Sequence, residues 1–471
     1  MEQSTTTSHA TGAVDTDLDT TNPALDTPES SSPIENLPAE IRSQILASMP
    51  DLLTLRSVIY ASPTLHAQYR HDRDRILRAC LDRDLDGVFF DAYVLTRAYK
   101  LARQRTNGLI DHNIPAFLGS YQGWLSGSRP HDLDLPPDTN KLDTDSLRWL
   151  ASYHLWVIRP LARAYSSWAL QSLERAAAKA SSSSPAAYHN WLRRRDEDMA
   201  SGRVSKREDS LSRAEEIRIF RALYRYDTYC QLFAGDVSIK RSPFQINAYF
   251  DVFDPWETEA IGCIELFMSC AYQDMLDEAS ITFNHDFFQI ELRDDDMATD
   301  GRKYTKILLC SPEFILRRIR AIDHSDPDFY DTIRQDFLLA HTSTFGCPRW
   351  TGGTSTTHDH VLLYEKLLRT IDNRRKVAEL RRDRMEFGSD AVPPHGPPLA
   401  WVLLWDGKYT NIHGEGYVPK SVMRWGYVMW SEQRWADMGA KDLVARQWRK
   451  APEAVLKIMM SCRGWAPLGM V

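Results

Sequence analysis

The feature that most limits how this chain can fold is an apolar spacing of three and four residues, interrupted at short intervals by proline. That spacing lines apolar side chains along one face of a helix. Proline inside a helix removes a backbone donor and crowds the preceding turn, so it marks where helices stop or bend. Ile41, Ile45 and Leu46 follow Leu37-Pro38, and Leu52, Leu55 and Ile59 follow Met49-Pro50, before Ser62-Pro63 breaks the pattern again. Farther on, Leu150, His154, Val157, Leu161, Tyr165 and Trp168 make one stripe. Ile219, Leu223, Tyr226, Cys230 and Phe233 make a second, and Ile261, Ile264, Met268, Ala271, Tyr272 and Met275 a third. The pattern predicts a mainly α protein.

The helix ends carry chemical markers. Pro38 suits a first turn, where its missing N–H would be unpaired anyway. Asp51 is placed as an N-cap for the helix bearing Leu52 and Leu55. His66 to Leu85 reads as one charged helix with Ile76, Leu77, Cys80 and Leu81 inward, and Phe89 to Gln104 as the next. A long helix starts at Asp143 or Thr144, and Pro160 should kink it or split it. Ser212 and Glu215 match a capping box, in which each side chain satisfies the other's backbone N–H. Asp254-Pro255 opens another helix in the same manner. Residues 361–385 also read as helical, ending before the proline-rich turn at 393–398.

The first of these stretches resembles an F-box. Leu37-Pro38, Glu40-Ile41, Ile45-Leu46, Pro50, Leu52 and Leu55 stand where that family has its Leu-Pro, its Ile/Leu pairs and its Leu-rich second helix. Ala61-Ser62-Pro63 with Tyr69 is similar to the F-box-like leader of fungal proteins. Arg424 to Trp430, RWGYVMW, resembles a closing motif of the same fungal group. The third helix lacks the tryptophan that many F-boxes carry; Leu65 and Tyr69 are its bulky residues. The resemblance implies a substrate-recognition subunit of a cullin-based ubiquitin ligase. It also implies that Leu37, Pro38, Ile41, Ile45, Leu52 and Leu55 meet a Skp-type adaptor protein, while the body holds an unknown protein substrate.

Composition bounds the alternatives. With 471 residues, the chain is too long for one ordinary core. Residues 1–33 are acidic and rich in Ser and Thr, and read as a disordered tail. Residues 34–85 would be the F-box-like module, and 86–471 a helical domain with a flexible insertion near 179–212. A net charge of −7 argues against a nucleic-acid partner. No apolar run reaches the length of a membrane span, and no secretory leader is evident. Seven cysteines without CxxC spacing suit a reducing compartment, so an intracellular location is expected, cytoplasmic or nuclear.

No motif calls for a cofactor, a metal or catalysis. His154 lies on an apolar stripe and is expected to be a hydrogen-bonded interior histidine. Asp294-Asp295-Asp296 lacks the EF-hand offsets, Gly352-Gly353 lacks a following Gly-Lys, and His358 and His360 are two apart where zinc on a helix needs four. The aromatic C-terminal segment, with Trp425, Val428, Met429 and Trp435 at helical spacing, is expected to close the core. A ligand cleft or a base-stacking platform is its alternative reading. A helical interaction scaffold without ligase assembly is the runner-up function, and an enzyme with a cleft beneath those rings the third.

Overall fold

A computed structural model describes residues 32–103, 114–126, 139–181, 211–233, 249–250, 252–282, 383–405, 407–410, 418–440 and 443. Helix accounts for 73% of the residues described, with no strand among them, so the protein is mainly α. In chain order the helices are α1 (Ala39–Ala47), α2 (Leu52–Ala61), α3 (Pro63–His71), α4 (Arg73–Asp84) and α5 (Phe89–Arg103). Then come α6 (Ile114–Ser126), α7 (Thr144–Tyr153), α8 (Arg159–Ser181), α9 (Arg213–Phe233) and α10 (Pro255–Thr282). Three short helices follow: α11 (Leu399–Leu404), α12 (Lys420–Met423) and α13 (Glu432–Asp437). The acidic tail before residue 32, most of the insertion, the Asp294 and His358 clusters and Gly352-Gly353 lie outside the described residues.

Capping chemistry accounts for several of the boundaries. Pro38 precedes the first turn of α1, and the Asp51 carboxylate accepts the Thr54 N–H at 2.7 Å to start α2. Ser62 ends α2 and caps α3 through the Leu65 N–H, with Pro63 in the first turn. Asp143 caps α7 through the Ser146 N–H at 2.8 Å. Two expectations change. The helix expected to run from His66 to Leu85 breaks at Asp72, whose carboxylate turns back to Ser43 and Gln68 and so competes with regular helix. Most of the helix expected over 361–385 lies outside the described residues, and 383–385 are not helical. Arg384 pairs instead with Lys408 in an isolated antiparallel bridge.

Pro160 leaves the long helix unbroken but not regular. His154–Ile158 form a π-helical turn between α7 and α8. Proline at 160 lacks the N–H for the carbonyl of Trp156 and crowds it, and a widened turn just before it accommodates both effects. His154 points inward there and Trp156 outward.

At the centre lies α9. Apart from Arg221 and Gln231, its residues from Ile219 to Leu232 are all buried, so it is enclosed on every side. Helices α5, α8 and α10 pack around it. Its polar side chains are satisfied inside. Arg225 donates to Asp91 of α5 at 2.7 Å and pairs with Glu257 of α10 at 2.9 Å, with its guanidinium over the Phe253 ring. Burial alone pulls the Arg225 pKa down, but the two carboxylates outweigh it and hold the group charged.

The C-terminal segment closes this core, as its aromatic content suggests, but not as the single helix its spacing implies. Trp425, Val428, Met429 and Trp435 are all buried, yet residues 424–429 form consecutive turns, and Trp430 a bend, between α12 and α13. Gly426 interrupts the helix with φ +63°. A Cβ there would sit 2.1 Å from the buried Tyr165 hydroxyl. Gly426→Ala is therefore expected to cost about 2–4 kcal/mol, combining left-handed strain with overpacking. In denaturant titration, Tyr165→Phe in the same chain should recover part of that loss. No recovery would mean that Tyr165 is not the obstacle.

Candidate partner-binding site

The Leu37-Pro38 turn is built from its own neighbours. Arg42, one turn into α1, donates to the carbonyls of Glu35 at 2.8 Å and Leu37 at 3.0 Å. Glu35 in turn accepts the Ser62 hydroxyl at the α2–α3 junction and the Ser32 N–H. A segment otherwise free to fray before a helix is thus pinned to α1 on one side and α3 on the other. Ser43 of α1 donates to Asp72 and accepts from Arg75. The Ser43 hydroxyl, above all, holds the Asp72 carboxyl down to about 2.

The six residues expected at a partner interface divide into two groups. Leu52 and Leu55 are buried in the core. Pro38 is exposed, Ile41 is 40% exposed, and Leu37 and Ile45 are half-buried. The helix phase explains the split. Ser43 and Leu46 lie three apart on the inward face of α1, while Ile41 and Ile45 lie four apart along its outer edge. Leu37, Pro38, Ile41 and Ile45 therefore form an apolar edge on a pinned turn, and Leu52 and Leu55 hold that edge to the body.

The attachment to the body centres on Asp84. Its Oδ2 accepts the Leu52 N–H at 3.1 Å, and its Oδ1 accepts from Arg159 of α8 at 2.6 Å. His154 Nε2 stands 3.5 Å from the same oxygen, at the limit of a hydrogen bond, and His154 Nδ1 meets the Tyr224 hydroxyl at 2.9 Å. Burial pushes the Asp84 carboxyl up. The neighbouring His154 imidazole and the Arg159 guanidinium outweigh it, and the net shift is below the usual carboxylate range. The interior histidine is where the sequence stripe puts it.

This cluster lies across the expected module boundary at residues 85 and 86. Arg213 of α9 also donates to the Asp84 carbonyl at 2.7 Å, and Arg221 to that of Gly87 at 2.8 Å. One hydrophobic core runs from Leu46 through α4 and α5 to the C-terminal tryptophans. Asp84 and Arg159 were not singled out from the sequence. The available signal was phase: Asp84 continues the Leu77, Cys80 and Leu81 face of α4 although it sits in a charged run.

Several other reactive groups among the described residues are enclosed. Burial pushes the Cys80 thiol up to about 11, so it is protonated at neutral pH and a poor nucleophile. Cys230 and Cys263 shift the same way for the same reason. Glu215 is held below its usual range: burial pushes it up, and Arg434, Ser431 and Ser212 outweigh that. Among the described residues no group of His, Cys, Asp and Glu is placed to hold a metal ion, and no helix is long and apolar enough to cross a membrane. Comparison of the chain with protein-family models, with curated proteins and with solved structures finds no match.

Proposed function

We propose that the chain is a protein-binding subunit whose outer α1 edge docks a Skp-type adaptor, and whose body presents a second protein for ubiquitination. The observation that carries this reading is the apolar edge of Leu37, Pro38, Ile41 and Ile45 on a turn held rigid by Arg42. A preorganised apolar edge loses little conformational entropy when a partner covers it. Among the described residues, the buried carboxylates of Asp84, Asp91 and Glu215 are each taken up by an arginine, which gives them a structural use. The expected test is co-purification of Leu37→Ala/Pro38→Ala with the adaptor. A fully buried side chain of this size contributes about 1.5–3 kcal/mol. Leu37 is already half-covered, so the pair should weaken binding roughly tenfold, about 1.4 kcal/mol. The double variant should keep its helical circular dichroism. Folded wild-type protein that brings down no Skp-type adaptor would sink this reading.

A helical interaction scaffold is the second reading. The core shared across residues 85 and 86 favours it, because an F-box-like stretch built into the body serves structure even without an adaptor.

A further inference from the structure

The geometry points to a second binding site, formed by Arg56 and Tyr60 of α2 with Trp156 of the π-helical turn, that takes an acidic peptide segment of a partner protein. Arg56 and Tyr60 are four residues apart on one face of α2. The Arg56 guanidinium carbon lies 4.2 Å from the Trp156 ring centroid and 5.4 Å from that of Tyr60. Tyr60 is 72% exposed, Trp156 40% exposed and Arg56 half-buried, so the group stands at the surface with its rings the more open part. Among the described residues the guanidinium's partners are these two rings. The neighbouring arginines differ. Arg159 is taken up by Asp84, and Arg83 by the Ala47 and Met49 carbonyls.

Stacking fixes the plane of a guanidinium without using its N–H donors. A planar fork held that way is preorganised for two parallel hydrogen bonds to a carboxylate. The rings beside it supply apolar cover, so the matching ligand carries an acid and an apolar side chain together. In an extended peptide, residues two apart share a face and lie about 6–7 Å apart. An Asp or Glu on Arg56 therefore places its second neighbour, aliphatic or proline, over Tyr60 or Trp156. A single guanidinium suits one carboxylate better than a polyanion, and the chain's net charge of −7 disfavours a nucleic acid or an anionic membrane. The site is separate from the α1 edge and does not depend on adaptor binding.

The test is selection of short random peptides displayed on phage against the full chain, in parallel with Arg56→Gln and Arg56→Lys. Wild-type protein is expected to enrich Asp or Glu with an aliphatic residue or proline two positions away. A synthetic peptide from that pool should bind Arg56→Gln roughly tenfold more weakly. Arg56→Lys should bind nearly as weakly, since an ammonium keeps the charge but not the stacked fork. Circular dichroism should be the same for all three proteins. Enrichment without an acidic residue, or of the same peptides by Arg56→Gln, would overturn the proposal. A winning peptide that binds only after phosphorylation would overturn it in favour of a phosphate site. A dimer that Arg56→Gln converts to monomer would overturn it in favour of a second copy of this chain.

Discussion

Asp84→Ala is expected to lower the stability of the protein by about 3–5 kcal/mol, the range for breaking a buried ion pair from one side. The loss comes from what stays behind. Arg159 is mostly buried, and without Asp84 its nearest carboxylate is Asp51 at 3.9 Å. The Leu52 N–H also loses its acceptor at the start of α2. Urea titration should show a lower midpoint with an unchanged slope. Arg159→Met in the same chain should restore part of the loss, because it removes the stranded charge. The effect has a pH signature. A carboxyl held below its ordinary range adds stability that is fully present above that range and fades as acid protonates it. The gap between wild type and Asp84→Ala should therefore narrow below about pH 4. A variant within half a kilocalorie of wild type, or a gap constant with pH, would remove Asp84 from the centre of the attachment.

Trp425→Ala should have a comparable effect, about 3–5 kcal/mol for emptying a large aromatic site. Its ring is fully buried, with Trp435 at 5.4 Å and Tyr427 at 6.3 Å between centroids. The Trp430 Nε1–H donates to its carbonyl at 2.6 Å, so the backbone of the turn depends on the same packing. Trp425→Phe should lose less, since much of the ring area remains. A melting point for Trp425→Ala within a degree of wild type would place the rings at the surface and revive the ligand-cleft reading.

Much of the helical framework was readable because its signals are local. Pro38, Asp51, Ser62, Asp143 and Ser212 each act within four residues, and each stands at a helix start or end in the structure. The apolar stripes of α9 and α10 marked both as helices, although α9 proves buried on every side and not along its stripe alone. What was not legible depends on distant partners. Asp72 breaks a helix because Ser43 is opposite, and residues 424–429 turn where Gly426 lies against the distant Tyr165. At the candidate site, the Leu-Pro turn and the residues of its apolar edge were visible. Which of the six face inward was not, since Ile45 and Leu46 are equivalent until α3 and α4 are placed. The Asp84 cluster needed α2, α4, α8 and α9 brought together, and no single window of sequence holds all four.

Glu215 ties the chain's order of synthesis to its final state. Its Oε2 accepts the Ser212 N–H at 2.9 Å and so starts α9. Its Oε1 accepts the Ser431 N–H at 3.0 Å and hydroxyl at 2.8 Å at the start of α13, and Arg434 pairs with both oxygens. One carboxylate thus begins two helices that lie 216 positions apart in sequence. On the ribosome, α9 is made long before Ser431 and Arg434 emerge. Until they do, the carboxylate has only its own helix start and water to satisfy it, and the central helix cannot be sealed. A chain that stops short of residue 431 keeps an ionised group where the finished protein has none exposed.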